Sequence, residues 1–293
     1  MILLTGSTGF IGSSMLKKFN REHILELKRG DENDFGSATI VIHLAGKAHD
    51  LKNTSSSQEY YEVNTELTKK IYDAFLASEA KVFITLSSVK AAADEIEGEL
   101  TEQHHPNPLT HYGKSKLLAE QYIFSKEIPD GKRLYVLRPS MIHGPGNKGN
   151  LNLLNKLVSK NIPWPLGAFE NKRSFCSIDN LMFIFQELIE RDDIPSGIYN
   201  IADDEPLSTI ELIELIAQSQ NRNPKLWNIS KKFIEGVASL GDKLHLPLNT
   251  ERLQKLTSSY VVSNAKIKAA IGKPFPLSSR EGLLKTFKSF NSL

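Results

Sequence analysis

The sequence contains one cysteine and two tryptophans in 293 residues, and it has no long apolar run. The lone Cys176 cannot close an internal disulfide, which points to a reducing compartment, and cytoplasmic is the expected setting. No stretch approaches the roughly 18 apolar residues that a spanning helix needs. The chain opens on a strand-like Met-Ile-Leu-Leu-Thr with no basic leader, so no export signal is expected. An excess of charge is missing too. Against 36 Lys+Arg stand 34 Asp+Glu, a balance that argues against a protein built to hold nucleic acid. What is present, 40% hydrophobic and 24% charged residues, is the mix of a folded globular protein with one large or two modest domains.

Short β-branched or apolar runs alternate with helical patterns. Strands are expected at Ile2-Leu3-Leu4, at 23–27, at Ile40 to Ala45, at Lys81 to Leu86 and at Arg133 to Arg138, the last stopped by Pro139. Helices are expected from about 11 to 19, 59 to 78 and 111 to 125. Near-continuous apolar strands joined by helices imply a parallel sheet covered on both faces, an α/β fold. After Pro139 the chain turns to loop chemistry in Gly144-Pro145-Gly146-Asn147-Lys148-Gly149-Asn150. A further strand at 197–202 looks like a return to the main sheet, and Ser208 with Glu211 forms a capping box ahead of a helix.

Thr5-Gly6-Ser7-Thr8-Gly9-Phe10-Ile11-Gly12 follows the first strand and opens the first helix. Glycines belong where side chains would block a pyrophosphate, and the helix behind offers free N–H groups and a partial positive charge. An acidic residue ending the second strand would hold an adenosine ribose, and a basic one would favour an extra phosphate. Here the strand ends in Lys28-Arg29. That pair leans towards NADP or is a pair of solvated surface charges, so NAD versus NADP stays open. Only 30 residues separate Gly12 from His43, about one strand–helix unit fewer than such folds usually have.

Ser88 closes a buried strand. Tyr112 lies 24 residues on, and Lys116 follows it at helical spacing. Four residues apart on a helix is one face, so the ammonium is expected near the phenol and to lower its pKa towards neutrality. Such a tyrosine can exchange a proton with a sugar hydroxyl or carbonyl, with Ser88 donating a hydrogen bond to the same oxygen.

Six ordered blocks carry a resemblance: TGSTGFIG from Thr5, VIHLAGKAH from Val41, LSSVK from Leu86, YGKSK from Tyr112, LRPSMIHGPG from Leu137 and RSFCSIDNL from Arg173. The chain resembles the extended short-chain dehydrogenase/reductase family, within its NAD-dependent nucleotide-sugar epimerase/dehydratase group. The resemblance implies a Rossmann-type doubly wound sheet over 1–140 and about 174–204. A smaller, interleaved α+β substrate part would cover about 141–173 and 205–293. It implies Ser88, Tyr112 and Lys116 as the catalytic set. It places Gly6, Gly9, Phe10, Ile11 and Gly12 on the cofactor pyrophosphate, with Lys28, Leu44, Ala45, Gly46, Asn64 and Ser87 on the cofactor side and Pro139 and Ile142 at the nicotinamide. Ser88, Tyr112, Asn150, Leu151, Arg173 and Phe175 would face the nucleotide sugar. Arg173 is expected on the diphosphate because a guanidinium forks onto phosphate oxygens.

Family dehydratases carry acidic residues just after the catalytic Ser/Thr. Val89 and Lys90 stand there, and Asp94, Glu95 and Glu97 read as a solvated acidic loop, so dehydration is disfavoured. Two outcomes of hydride transfer at sugar carbon 4 remain. One is a UDP-hexose or UDP-N-acetylhexosamine 4-epimerase of bacterial surface-polysaccharide synthesis with retained NAD. The other is a 4-reductase of UDP-4-keto-6-deoxy sugars. Outside the enzyme class, a catalytically silent dinucleotide-binding sensor would lack the Tyr or Lys that this chain has. His143 replaces a tyrosine common in relatives and is expected to alter the substrate edge. His104, His105 and His111 lack metal-ligand spacing, so no metal is expected. A UDP-sugar substrate and a homodimer partner are expected, and neither nucleic acid nor a membrane.

Overall fold

The computed structural model describes residues 1–27, 30, 35–47, 56–147, 149–244 and 249–290, the side chain of residue 150 excepted. Its centre is a six-stranded parallel sheet. Strands β1 (Ile2–Thr5), β2 (Ile24–Glu26), β3 (Ile40–His43) and β4 (Val82–Leu86) precede a two-residue strand, β5 (Glu99–Leu100), which lies outside the sheet. Strands β6 (Arg133–Pro139), β7 (Met141–His143), β8 (Phe175–Ser177) and β9 (Gly197–Ile201) follow. The sheet order is β2-β1-β3-β4-β6-β9. The chain reverses its direction of winding between β1 and β3, which opens a crevice at the carboxyl ends of those strands.

Both faces are covered, which is why the strands read as unbroken apolar runs. Leu4, Ile42, Ile84 and Leu137 pack on one side with Met15 of α1 (Phe10–Lys18) and Leu181 and Phe185 of α6 (Ile178–Glu190). Leu3, Val41, Phe83 and Val136 face the other side. There they meet Ile71 and Phe75 of α3 (Leu67–Ala77) and Ile123 of α4 (His111–Phe124). The short spacing between Gly12 and His43 has a visible consequence. Among the described residues no helix joins β2 to β3, and buried Phe35 and Ala38 cover the face that a crossover helix would otherwise fill.

The helix expected from 59 begins earlier, as α2 (Ser57–Tyr60) capped by Ser56, and passes through a π-helical turn, Tyr61–Glu66, before α3. Pro139 is the last residue of β6, paired with Ile201, so the strand ends at the expected proline and includes it.

Beyond the sheet, α5 (Asn150–Ser159), α7 (Thr209–Ser219) and α11 (Ser279–Phe290) close over β8 with Leu151, Phe175, Leu212, Ile216, Leu283 and Phe287. The capping box of Ser208 and Glu211 is present. A second small cluster seats α8 (Lys231–Leu244) and α9 (Thr250–Thr257) on residues 164–169 through Ile234, Ala238, Leu253 and Leu166. Strand β10 (Val261–Val262) pairs with β5, and α10 (Ala265–Ile271) packs against β9.

Candidate active site

The glycine loop is shaped by close approach of backbone to backbone. Gly6 has φ +70°, and a Cβ there would lie 2.6 Å from the amide nitrogen of Ala45. A Cβ on Gly12 would lie 2.3 Å from the carbonyl oxygen of Gly6. No other residue fits either place. Gly9 is the N-cap of α1 with no side-chain cap, and the first turn carries no acidic residue. The N–H groups of Phe10, Ile11 and Gly12 therefore have no partner within the helix and point at the crevice. The side chains of Phe10 and Ile11 pack on the core, so what these residues offer an anion is backbone. Together these features form a cradle that fits a pyrophosphate.

Leu44, Ala45 and Gly46 run along the mouth of this loop. The Leu44 amide donates to the Thr5 carbonyl at 3.3 Å and the Ala45 amide to Thr5 Oγ1 at 3.0 Å. That leaves the Thr5 hydroxyl hydrogen for His43 Nδ1, 2.8 Å away. His43 Nε2 lies 3.0 Å from Thr68 Oγ1, whose hydroxyl donates to the Asn64 carbonyl at 2.8 Å. Burial, with the Lys116 charge adding to it, depresses the His43 pKa to about 3, so the ring is neutral with its proton on Nε2. Nothing in the sequence pattern singles out this buried relay.

Asn64 lies in the π-helical turn and is fully buried. Its Oδ1 accepts from the Lys47 amide at 2.7 Å, and its Nδ2 donates to the Lys47 carbonyl and to Ser115 Oγ, each at 3.1 Å. These bonds clamp the 46–47 turn onto α4. A Cβ on Gly46 would stand 3.1 Å from both Asn64 Oδ1 and Lys116 Nζ. The chain thus brings Gly46, Asn64 and Lys116 together.

Ser88 caps the 3-10 turn Val89–Ala91, with its Oγ accepting from the Lys90 amide at 3.2 Å. Its side chain lies beside the Tyr112 hydroxyl and acts to lower that group's pKa. Tyr112 stands in the first turn of α4, which Thr110 caps through the Gly113 amide, and its ring meets Tyr60 edge-on at 6.1 Å. Lys116 Nζ donates to the Leu86 carbonyl at 2.9 Å. Desolvation lowers the pKa of this buried ammonium to about 8, opposed by Glu120.

The expected lowering of the tyrosine pKa is not what this geometry produces. Burial pushes the Tyr112 hydroxyl up, and Ser88 only opposes that rise. The reason is partial burial, which disfavours the phenolate, while the Leu86 carbonyl receives the hydrogen bond from the Lys116 ammonium.

Asp94 departs from the solvated loop expected for it. Its carboxylate accepts from the amides of Leu109 and Thr110, at 2.7 and 3.1 Å, and from Thr110 Oγ1 at 3.2 Å. It therefore fixes the entry of α4 two residues ahead of Tyr112. His143 is likewise not at a substrate edge. It is fully buried, with Nδ1 2.9 Å from Thr286 Oγ1 and Nε2 3.5 Å from the Asp203 carboxylate, and it locks β7 to α11. Leu151 and Phe175, expected on the nucleotide sugar, have side chains buried in the α5–α7–α11 cluster and so can present only backbone to a ligand.

Arg173 is half-buried. Its Nε donates to the Ser258 carbonyl at 3.0 Å, and its Nη2 to Ser258 Oγ at 3.0 Å and to the Lys255 carbonyl, so part of its fork holds the end of α9. Ser87 Oγ is buried without a hydrogen-bond partner beside a small cavity that Asn64, Thr68, Lys116 and Glu120 also line. Pro139 is the last residue of β6, and Ile142 lies in β7, outside the main sheet. Lys28 and the side chain of Asn150 lie outside the described residues.

Comparison with known proteins agrees with this architecture. Residues 2–202 match the model of the NAD dependent epimerase/dehydratase family. The chain is 30% identical to a UDP-glucose 4-epimerase of Vibrio cholerae, across 99% of this chain and 95% of that protein. It is 27% identical to the N-acetyl-alpha-D-glucosaminyl-diphospho-ditrans,octacis-undecaprenol 4-epimerase of Escherichia coli O157:H7, across 75% and 72% of the two chains. Among solved structures, the UDP-glucuronic acid 4-epimerase of Bacillus cereus in complex with NAD superposes with a TM-score of 0.74 at 18% identity, covering 99% of this chain and 98% of its own. That likeness establishes the shared fold. The family match spans more than half of the sequence, and its members are NAD-dependent enzymes. The chain is an enzyme of the NAD-dependent epimerase/dehydratase family.

Proposed function

We propose that the protein interconverts UDP-hexoses or UDP-N-acetylhexosamines at carbon 4, retaining its NAD between turnovers. The observation that carries this reading is the placement of Tyr112 beside Ser88 at the crevice where a Cβ on Gly46 would stand 3.1 Å from Lys116 Nζ. In its phenolate form Tyr112 takes the proton of the sugar 4-hydroxyl and later returns it, with Ser88 beside the same oxygen. NAD, when bound, supplies the hydride acceptor. Lys116 brings a positive charge next to Gly46, on the cofactor side, and Glu120 beneath it keeps that charge in place.

Val89 and Lys90 follow Ser88, and Lys90 Nζ donates to the Asp94 carbonyl oxygen at 2.6 Å and lies 4.4 Å from the centre of the Tyr260 ring. No carboxylate stands at the two positions where eliminating water would need an acid and a base, which speaks against a dehydratase. Both curated relatives are 4-epimerases by name, acting on a hexose carried by a diphosphate. Arg173, at the end of α9, is the residue assigned here to that diphosphate.

The cofactor-binding part covers 1–140 and about 174–204, and the rest holds the sugar nucleotide. A homodimer through the α2–α3 and α4 helices is supported by the exposure of Leu118 and Phe124 on α4. A cytoplasmic place in surface-polysaccharide precursor synthesis completes the proposal. Incubating the purified protein with UDP-glucose and UDP-N-acetylglucosamine, without added cofactor, tests it. Formation of the galacto isomers is expected. Inertness there, combined with oxidation of NAD(P)H by a UDP-4-keto-6-deoxy-N-acetylhexosamine, would make the enzyme a 4-reductase instead.

A further inference from the structure

Helix α8 carries two apolar faces. Ile234, Ala238 and Gly241 are buried against the 164–169 segment and α9. Phe233, Val237, Leu240 and Leu244 are exposed by 63, 36, 51 and 59%. At about 100° per residue these four fall within an arc of about 60°, a continuous stripe along a helix about 21 Å long. On the same wheel Lys232 and Lys243 lie about 90° from the middle of the stripe, along its free side. Glu235 and Asp242 lie on the opposite side, about 180° away. Trp227, 56% exposed, and exposed Lys225 and Arg222 stand on the segment that leads into the helix.

The stretch around the helix is also basic. Residues 222–256 hold seven basic and three acidic side chains, a surplus of four, in a chain whose total is +2. The rest of the chain sums to −2, although residues 257–293 carry a further six basic side chains against one acidic, so the lysines that matter for the stripe are the two beside it, Lys232 and Lys243.

We infer that the exposed stripe of α8 docks the enzyme peripherally on an anionic phospholipid surface, departing from the expectation of no membrane partner. Apolar side chains in a narrow row, lysines at the level of the headgroups, a neighbouring tryptophan and acids turned away are the features of a helix lying in the plane of a bilayer interface. Among the described residues no helix is long and apolar enough to cross a membrane, so the attachment is superficial. A second copy of this chain fits the stripe less well, since a two-fold contact would bring the Lys232–Lys243 rows of the two copies together. One helix face is also narrow against the roughly 800 Å² per partner of a stable complex.

The surface lies one helix away from the proposed site. Helix α8 packs on α9, whose last carbonyls hold Arg173, and Gln254 of α9 donates to Glu95 at 3.3 Å, seven residues past Ser88. Docking through α8 sets the sugar-binding part beside the lipid surface.

Co-sedimentation of the full chain with vesicles tests this independently of any activity. Phosphatidylcholine vesicles containing phosphatidylglycerol are expected to carry the protein down, and pure phosphatidylcholine vesicles much less. The double variant Phe233→Ser/Leu240→Ser and the charge variant Lys232→Glu/Lys243→Glu are each expected to weaken binding by about tenfold or more. Both alter exposed side chains, and an unchanged unfolding midpoint checks that the fold is kept. Absence of binding to the anionic vesicles, or binding unaffected by both variants, overturns the inference. A fall in solution mass of the Ser variant, without vesicle binding by the parent chain, would make the stripe a contact between copies instead.

Discussion

Glu120 and Arg138 form a two-pronged ion pair buried between α4 and β6, with Arg138 Nε 2.9 Å from Glu120 Oε1 and Nη2 on Oε2. Their side chains are only 4% and 2% exposed. Glu120 lies one turn beyond Lys116, and Arg138 immediately precedes Pro139. The pair therefore ties the helix of the proposed catalytic residues to the strand at the expected nicotinamide end. Removing one partner strands the other without water. Glu120→Gln is expected to cost about 3–5 kcal/mol of unfolding free energy by urea titration. A cost below about 1 kcal/mol would mean that the pair is not closed in solution.

The neutral His43 sets an acid limit on stability. Its folded pKa is depressed from 6.5 to about 3, so below pH 6.5 the unfolded chain takes up a proton that the folded chain refuses. The protein should lose about 1.4 kcal/mol per pH unit from this group as pH falls from 6.5 towards 3. Denaturation at pH 7 and pH 5 checks it, with His43→Gln as a reference that lacks this slope.

Lys116 acts at the other end. Its pKa falls from 10.5 to about 8 in the folded chain, so between those values the unfolded state holds a proton that the folded state has released. Stability measured against Lys116→Met should rise over that window as the cost of a buried ammonium disappears. Turnover should decline above pH 8 as the charge beside Gly46 is lost. A pH–rate profile flat to pH 10 would remove Lys116 from the mechanism.

Much of the fold and of the site is legible in the amino-acid sequence. The strands at 2–4, 40–43 and 82–86 and the order of the glycine loop, Ser88, Tyr112 and Lys116 rest on periodicity and spacing, which local chemistry fixes. The missing unit between Gly12 and His43 is legible as a length. What spacing cannot encode is which groups meet across elements. The His43–Thr68 relay, the Glu120–Arg138 pair and the Asp94 ties to Leu109 and Thr110 each join residues brought together only by the fold. For the same reason Leu151 and Phe175 read as site residues while their side chains belong to a core. Spacing alone also makes the cation at Lys116 outweigh the burial of Tyr112, because desolvation depends on what the fold packs around the phenol.

The glycine loop predicts a contrast between two substitutions. Gly12→Ala places a methyl 2.3 Å from the Gly6 carbonyl oxygen and must distort the cradle, whereas Gly236→Ala on α8 meets nothing within 4 Å. The first should lower NAD affinity by about tenfold or more, read by calorimetric titration of NAD into protein stripped of nucleotide. The second should leave affinity unchanged and raise stability by about 0.5–1 kcal/mol.

The proton exchange at Tyr112 is tested most directly by comparing the wild-type enzyme with Tyr112→Phe, scoring both 4-epimerisation of a UDP-hexose and the NAD that remains bound. The phenylalanine ring keeps the packing on Tyr60 and loses only the hydroxyl beside Ser88. Turnover should fall by about 10²-fold or more with NAD retained. A variant that epimerises at the wild-type rate would contradict the account.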